Sequence, residues 1–250
     1  MANSFTFNGT DFADYGLVVN RWDPALSFTR DASQIQLPTK AIAGVANYPP
    51  KNISLAITIS ATTIAAMLSY IDDIKGLLNI EGGYSLILDN QSARYWTARF
   101  KSIEGRMISP LTFQGQLTFV ADDPAAYSTS NTSSDFNIDS DPKTVTETPG
   151  GNMIIFPVYT LTAGEDLTGV TIKIQNVGRN EELQWTGSLA NGEELEIDCD
   201  AWTVKKEGTE DMATVTGEFP WLDGGSANSI KITALASTGT LNIAYRDKYV

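Results

Sequence analysis

The stretch Ile53-Ser54-Leu55-Ala56-Ile57-Thr58-Ile59-Ser60 carries a large aliphatic residue at every second position. Successive side chains of a β-strand point to opposite faces, so this period of two predicts a strand with one buried face. Three further stretches are predicted strands on the same reasoning: 84–88, 95–103 and 111–121. Asp89-Asn90-Gln91-Ser92, between the first two of these, predicts a hairpin loop, and Glu104-Gly105-Arg106, after the second, predicts a turn.

One helix is predicted within this β pattern, from about Thr62 to Asn79. Thr62 or Thr63 can cap its start, and Gly82-Gly83 lies just beyond its end. We expect its apolar stripe to pack against a sheet. The stripe has the three, four, seven spacing of one helix face and consists of Ile64, Met67, Leu68, Ile71, Ile74, Leu77 and Leu78.

A domain boundary is predicted between residues 123 and 150. Asp123-Pro124 ends the last N-terminal strand, a polar run follows at residues 128–134, and Pro149-Gly150-Gly151 closes the stretch. The expected organisation is an N-terminal domain at residues 1–130, a linker or exposed loop at 131–150, and a C-terminal domain at 151–250.

The second half of the chain is again β in pattern. Val170, Ile172 and Ile174 alternate with polar residues, as do Leu195 and Ile197. Short strands at a spacing of about ten residues, without a convincing helix, are typical of a β-sandwich. The fold class is therefore predicted to be mainly β.

The charge of the chain is acidic and unevenly distributed. The sequence holds 17 Lys and Arg against 30 Asp and Glu, a net charge of −13. Residues 1–130 carry a net charge of −2 and residues 131–250 a net charge of −11. Such a surface disfavours sequence-independent binding to nucleic acid or to anionic membranes. No apolar stretch is long enough to predict membrane insertion.

The residue inventory argues against an enzyme. The chain has no histidine, which removes the commonest general base and the commonest metal ligand. Its single cysteine, Cys199, permits no disulfide within the chain and is expected to be a small buried side chain. We therefore predict no catalytic residues, no metal site and no cofactor. The protein is expected to be a binding or structural protein.

Two acidic stretches offer alternatives. Glu193 to Asp198 could supply the paired carboxylates of a glycosidase, but its alternation with Leu195 and Ile197 favours the solvated face of a strand. Asp135 to Asp141 resembles the start of an EF-hand loop. Ser140 stands where that loop needs glycine and Thr146 where it needs glutamate, so a solvated linker is favoured.

Three tryptophans of the second half are candidates for a sugar-stacking surface: Trp185, Trp202 and Trp221. Each lies in or beside a strand pattern, where burial in the core is the expected environment. The ligand-binding residues, if the chain has any, are not identified by the sequence.

Three stretches together resemble the distal tail protein family of siphophages. The first is Phe5-Thr6-Phe7-Asn8-Gly9, followed by Tyr15-Gly16-Leu17-Val18-Val19. The second is residues 119–127, a strand that ends in Asp123-Pro124-Ala125-Ala126-Tyr127. The third runs from Gly192 through Phe219-Pro220-Trp221-Leu222 to Ala244-Tyr245-Arg246-Asp247-Lys248-Tyr249.

This resemblance implies a fold and a function. It implies an N-terminal β-sandwich with one α-helix and a β-hairpin, and a C-terminal galectin-like β-sandwich. It also implies a homo-hexameric ring in the virion, at the distal tail tip, made in the cytoplasm of the bacterial host. The ring would join the tail tube protein to tail-tip, tail-associated or baseplate proteins and leave a channel for DNA.

Several points stay open at this stage. Two rings stacked back to back are an alternative form in solution. An alternative function is a tail-tip adhesin that binds glycan through the C-terminal sandwich, and a third is a tail-associated hydrolase. Sequence-specific binding to nucleic acid is not expected.

Overall fold

The computed structural model describes residues 3–22, 31–37, 40–47, 49–233 and 238–249, with the backbone alone in 31–47. These residues divide into two compact units. Unit 1 runs to Thr129, and unit 2 comprises Ser130–Tyr249.

Unit 1 contains ten strands and one α-helix within the described ranges. These are β1 (Phe5–Phe7), β2 (Thr10–Asp11), β3 (Leu17–Trp22), β4 (Asp31–Leu37), β5 (Lys40–Asn47), β6 (Lys51–Ser60), α1 (Ile64–Leu78), β7 (Tyr84–Leu88), β8 (Arg94–Ser109), β9 (Thr112–Ala121) and β10 (Ala126–Ser128).

Most of these strands form one antiparallel sheet in the order β2-β1-β7-β8-β9-β6-β3, with β10 also paired to β8. The alternating stretch predicted from the sequence is β6, whose Ile53, Leu55, Ile57 and Ile59 are all buried. Leu55 lies opposite Leu117 of β9. Strands β4 and β5 form a separate hairpin. The expected N-terminal β-sandwich, with two sheets that face each other in this unit, stays a prediction.

The hairpin of β8 and β9 is longer than the sequence predicted. The expected turn at Glu104-Gly105-Arg106 is wrong, because Gly105 lies inside β8 directly opposite Gly115. A side chain at either position would overlap the backbone of the other strand, so both glycines are needed for the close approach. The chain turns instead at Pro110 and Leu111, since Ser109 pairs with Thr112.

Helix α1 has the predicted bounds to within two residues. The side chain of Thr63 accepts a hydrogen bond from the Ala66 amide and caps the first turn. The packing prediction is only half correct. Met67, Ile74 and Leu78 are buried, as expected, but Ile64 and Leu68 are 58% and 59% exposed.

Unit 2 is built from fourteen strands within the described ranges. These are β11 (Thr132–Ile138), β12 (Lys143–Glu147), β13 (Ile154–Ile155), β14 (Val158–Ala163), β15 (Leu167–Asn176), β16 (Glu181–Leu189), β17 (Glu194–Asp198), β18 (Thr203–Lys206), β19 (Thr209–Glu210), β20 (Val215–Gly217), β21 (Leu222–Asp223), β22 (Asn228–Thr233), β23 (Gly239–Tyr245) and β24 (Lys248–Tyr249).

Two antiparallel sheets make up the body of unit 2. One has the order β11-β23-β14-β17-β18-β19 and the other the order β12-β22-β15-β16-β20. Both contribute to one buried cluster, with Leu195 and Leu241 from the first sheet and Ile174 and Trp185 from the second. The mainly β fold class is confirmed, whereas a specific likeness to galectins stays a prediction.

The predicted linker at residues 131–150 is wrong. Strand β11 pairs with β23 along its whole length, and β12 pairs with β22. Ile138 and Val145 belong to the core of the unit. The polar composition misled the prediction because both strands lie at sheet edges, where many side chains face solvent.

Candidate interaction surfaces

Unit 1 presents an exposed apolar surface where the tip of the β8–β9 hairpin lies beside the start of α1. We call Ile64, Leu68, Met107 and Ile108 the end surface. They are the large hydrophobic residues that are substantially exposed in the described part of unit 1. The Ala61 amide donates to the Leu111 carbonyl over 3.1 Å, which holds the segment before α1 against the hairpin turn. Large apolar side chains that stay exposed on two neighbouring segments are typical of an interaction site.

The residues around the end surface are charged. Asp72 and Asp73 are exposed on α1, and Arg106 is exposed next to Met107. Lys75 lies 4.0 Å from Asp72, and this solvated pair contributes little stability. An apolar centre with a polar margin is the usual composition of a protein–protein contact.

The N-terminal motif of the sequence forms a tight turn. Thr10 pairs with Phe7, and the two residues between them, Asn8 and Gly9, have φ angles of 49° and 77°. Both values lie in the left-handed region that a two-residue hairpin turn of this kind requires. The rings of Phe5 and Phe7 are buried on the same side of β1. The motif therefore places two aromatic rings in the core of unit 1 and joins β1 to β2 by a tight turn.

The second part of that motif, Tyr15-Gly16, makes a close backbone contact. Gly16 has a φ angle of 63°, and a methyl group there would overlap the carbonyl oxygen of Ser60. The Gly16 carbonyl accepts from the Ser60 amide over 3.0 Å. The Tyr15 ring lies edge-on, 6.2 Å from Tyr70 of α1. Gly16 thus lets the backbone before β3 approach the end of β6 closely.

The Asp-Pro-x-x-Tyr motif closes the last turn of unit 1. One carboxylate oxygen of Asp123 accepts from the Ala125 amide over 3.0 Å, and the other accepts from the hydroxyl of Tyr127. The ring of Tyr127 stacks on Tyr95 with 5.7 Å between centroids. This motif fixes the path of the chain at the end of unit 1.

The C-terminal motif surrounds Arg179, a residue that the sequence did not single out. Its guanidinium lies 3.0 Å from Glu181 and 2.9 Å from Asp223, and 4.5 Å from the centre of the Trp221 ring. Burial alone lowers the pKa of Arg179, but the hydrogen bonds to Glu181 and Asp223 raise it above its usual value. The arginine holds the turn between β15 and β16 against the segment of Trp221 and β21.

Asn228 closes the glycine-containing loop of the same motif. Its side-chain oxygen accepts from the Asp223 amide over 2.9 Å, and its nitrogen donates to the carbonyls of Asp223 and Ser226. Asn176 donates to the Trp221 carbonyl over 2.7 Å. Within the loop, Gly225 takes a φ angle of 71°. Gly224-Gly225 therefore serves a turn.

The acidic strand is engaged in ion pairs. Glu196 lies 2.8 Å from Lys205, and Glu193 lies 2.9 Å from Lys206. The hydrogen bond from Lys206 lowers the pKa of Glu193. These pairings favour the solvated-face interpretation of the strand over the glycosidase alternative.

The first half of the EF-hand-like segment, up to Ile138, lies in strand β11. Asp135 of β11 accepts a hydrogen bond from the side chain of Asn242 over 2.6 Å. The described residues contain no group of three or more His, Cys, Asp or Glu that could hold a metal ion. In the same part of the chain, no helix has the length and apolarity needed to cross a membrane.

The three candidate tryptophans have different environments. Trp185 is buried, and its indole nitrogen donates to Asp211 over 3.0 Å. Trp221 is half-buried beneath Arg179. Trp202 is 59% exposed, so the expectation that it packs in the core is wrong. Cys199 is buried, as predicted, and burial raises the pKa of its thiol well above the usual range.

Comparison with known proteins finds matches to part of the sequence and to the fold of the whole chain. The C-terminal domain model of the siphovirus-type tail component family matches residues 150–249. The fold of the whole chain is similar to the crystal structure of the Dit protein of phage SPP1, with a TM-score of 0.80, 12% identity and full coverage of both chains. Residues 150–249 therefore match the C-terminal domain of siphovirus-type tail components, and the fold of the whole chain is that of the SPP1 protein.

A chain in the baseplate of phage P2 is also similar to this chain, with a TM-score of 0.45, 10% identity and full coverage of both chains. A search of curated proteins gave no match. The matched family region contains the whole Arg179 and Asn228 network described above. The resemblance to siphophage tail proteins that the sequence indicated is confirmed.

Proposed function

We propose that this chain is a siphophage tail component that assembles as a homo-hexameric ring at the distal end of the tail tube. The ring joins the tube to tail-tip or baseplate proteins, leaves a channel for DNA and performs no catalysis. This is the function that the sequence resemblance implies, and the observations on unit 1 and on charge support it.

The end surface is the observation that carries the proposal. Ile64, Leu68, Met107 and Ile108 leave apolar area in water, which costs free energy in a monomer and is recovered when a second protein covers it. The fold similarity supports the same role, because the Dit protein of phage SPP1 is described as a paradigm of the hub adsorption apparatus in phages that infect Gram-positive bacteria.

The charge distribution supports a ring built from the N-terminal half. Residues 1–130 have a net charge of only −2, so six copies can pack side by side without large mutual repulsion. The net charge of −11 on residues 131–250 is tolerated where that half faces solvent. A channel wall with few unpaired cations would let DNA pass without sticking.

The test is the native mass of the full-length protein, measured by light scattering on a sizing column with negative-stain images of the peak. We expect a hexamer, or two stacked hexamers, with a central hole. Leu68→Asp and Ile108→Asp place a charge in the end surface and are expected to shift the mass toward the monomer.

The matched control is Val177→Asp, which changes a residue of unit 2 that is 47% exposed, similar to Ile108. It is expected to leave the mass of the ring unchanged. A wild-type protein that is monomeric at every concentration would contradict ring formation by this chain alone. Rings that persist in both end-surface variants would show that this surface does not carry the assembly.

A further inference from the structure

Trp202 is exposed in a backbone conformation that bulky residues avoid. It is the last residue of the loop between β17 and β18, and its φ angle is 58°. Glycine and asparagine adopt this left-handed region readily, whereas other residues lose about 1–2 kcal/mol there. Because the ring is 59% exposed, burial does not offset this cost. A strained, exposed aromatic residue indicates a role in binding.

The loop that carries Trp202 is firmly held. One carboxylate oxygen of Asp198 accepts from the amides of Asp200 and Ala201, over 3.0 Å and 2.9 Å. The amide of the buried Cys199 donates to the Pro157 carbonyl over 3.1 Å. The loop therefore presents the indole from a fixed backbone, and little conformational entropy is lost when a ligand binds it.

A second aromatic ring stands beside the indole. The centroid of Phe219 lies 5.6 Å from that of Trp202, and the two planes are inclined by 52°. The next residue, Pro220, is anchored through its carbonyl, which accepts from the Cys199 thiol and from the Tyr159 hydroxyl, each over 3.3 Å. Cys199 belongs to the loop of Trp202, and Pro220 follows Phe219. The hydrogen bond between them therefore links the two segments that carry the rings. We call Trp202 and Phe219 the aromatic platform.

The chemistry around the aromatic platform selects the class of ligand. An aromatic face binds the C–H groups of a sugar ring, and the exposed carboxylate of Asp200 on the same loop can accept hydrogen bonds from sugar hydroxyls. The net charge of −11 in this half of the chain disfavours anionic ligands. The surface area of two aromatic rings is also far smaller than the ~1,200 Å² that a specific protein interface buries.

We propose that the aromatic platform binds an uncharged carbohydrate, with the sugar ring stacked on Trp202 and its hydroxyls bonded to Asp200. This site lies in unit 2 and does not depend on ring assembly through unit 1. The tail component would then contact a neutral glycan directly, in addition to its structural role.

The first experiment presents the full-length protein to a printed array of neutral, anionic and cationic oligosaccharides of hexoses. We expect binding to neutral members, weakened about tenfold or more by Trp202→Gly, a factor that corresponds to about 1.4 kcal/mol. Glycine adopts the left-handed conformation freely, so this variant is expected to be at least as stable as the wild type. Val177→Ala removes exposed apolar area elsewhere in unit 2 and is expected to bind normally.

The second experiment locates the site. In protein labelled with 5-fluorotryptophan, the ¹⁹F resonance that disappears in Trp202→Gly belongs to Trp202. Cellobiose and maltotriose are then added, and we expect that resonance to shift while the signal of the buried Trp185 does not. Light scattering of Trp202→Gly is expected to give the same mass as the wild type, which separates this test from the test of the ring.

Three outcomes would overturn the proposal. The first is no binding to any neutral oligosaccharide, and the second is binding that survives Trp202→Gly. The third is a Trp202 resonance that responds to purified tail proteins but not to sugars, which would make the platform a protein contact.

Discussion

Gly16→Ala tests whether the contact between β3 and the end of β6 limits the stability of unit 1. The φ angle of 63° imposes about 1–2 kcal/mol of strain on alanine. The new methyl group would also overlap the Ser60 carbonyl oxygen and lie 3.3 Å from the Tyr70 ring, so the backbone must move. Such overpacking costs about 1–3 kcal/mol. We expect a total loss of about 2–5 kcal/mol in the free energy of unfolding.

The assay is urea unfolding followed by circular dichroism, with two matched glycine variants. Gly9→Ala has a φ angle of 77° but no atom within 4 Å of the new methyl group, so it carries only the strain of about 1–2 kcal/mol. Gly76→Ala lies on an exposed part of α1 with no such contact and is expected to stabilise by up to about 1 kcal/mol. Equal losses for Gly16→Ala and Gly9→Ala would refute the role assigned to the Ser60 contact.

Three further predictions concern unit 2. Arg179→Ala is expected to cost about 1–3 kcal/mol in urea unfolding, because it leaves the largely buried Glu181 without its partner. Arg179→Lys should recover only part, since an ammonium cannot make both ion pairs in the geometry of a guanidinium, and full recovery would contradict this. Burial and the hydrogen bond to Glu147 raise the pKa of Tyr245. A raised folded-state pKa gives stability that is complete below the unfolded value of about 10 and is lost as the pH rises through the folded value. Tyr245→Phe should therefore flatten the alkaline decline in urea midpoint, and an unchanged slope would argue against it. The buried Cys199, whose thiol pKa is raised by burial, should react with a thiol reagent only as fast as unit 2 unfolds; rapid labelling of the native protein would show that the thiol is accessible.

Local periodicity was sufficient for the elements whose signal lies within a few neighbouring residues. The alternation in β6 and the apolar spacing and threonine cap of α1 depend on interactions along one strand or one helix turn, which the sequence displays directly. The family motifs at Asn8-Gly9 and Gly16 were also visible, because left-handed turns restrict residue type strongly.

Pairing between distant strands was not visible. Gly105 resembled a turn residue, yet it is a strand residue that allows close approach to Gly115. The polar stretch at 131–150 resembled a linker, yet β11 and β12 are edge strands held by β23 and β22. Composition reports how much of a segment faces water, and an edge strand exposes nearly as much as a loop.

The sequence by itself determined that this protein is mainly β, where α1 lies and which family it resembles. These properties depend on short-range patterns and on the restricted chemistry of turns. Only the tertiary structure decided which apolar residues stay in water. Ile64 and Met67 belong to the same helical stripe, and Trp185 and Trp202 to similar strand patterns, but one of each pair is buried and the other is exposed. Burial depends on what the rest of the chain places opposite a side chain, and that information is not local.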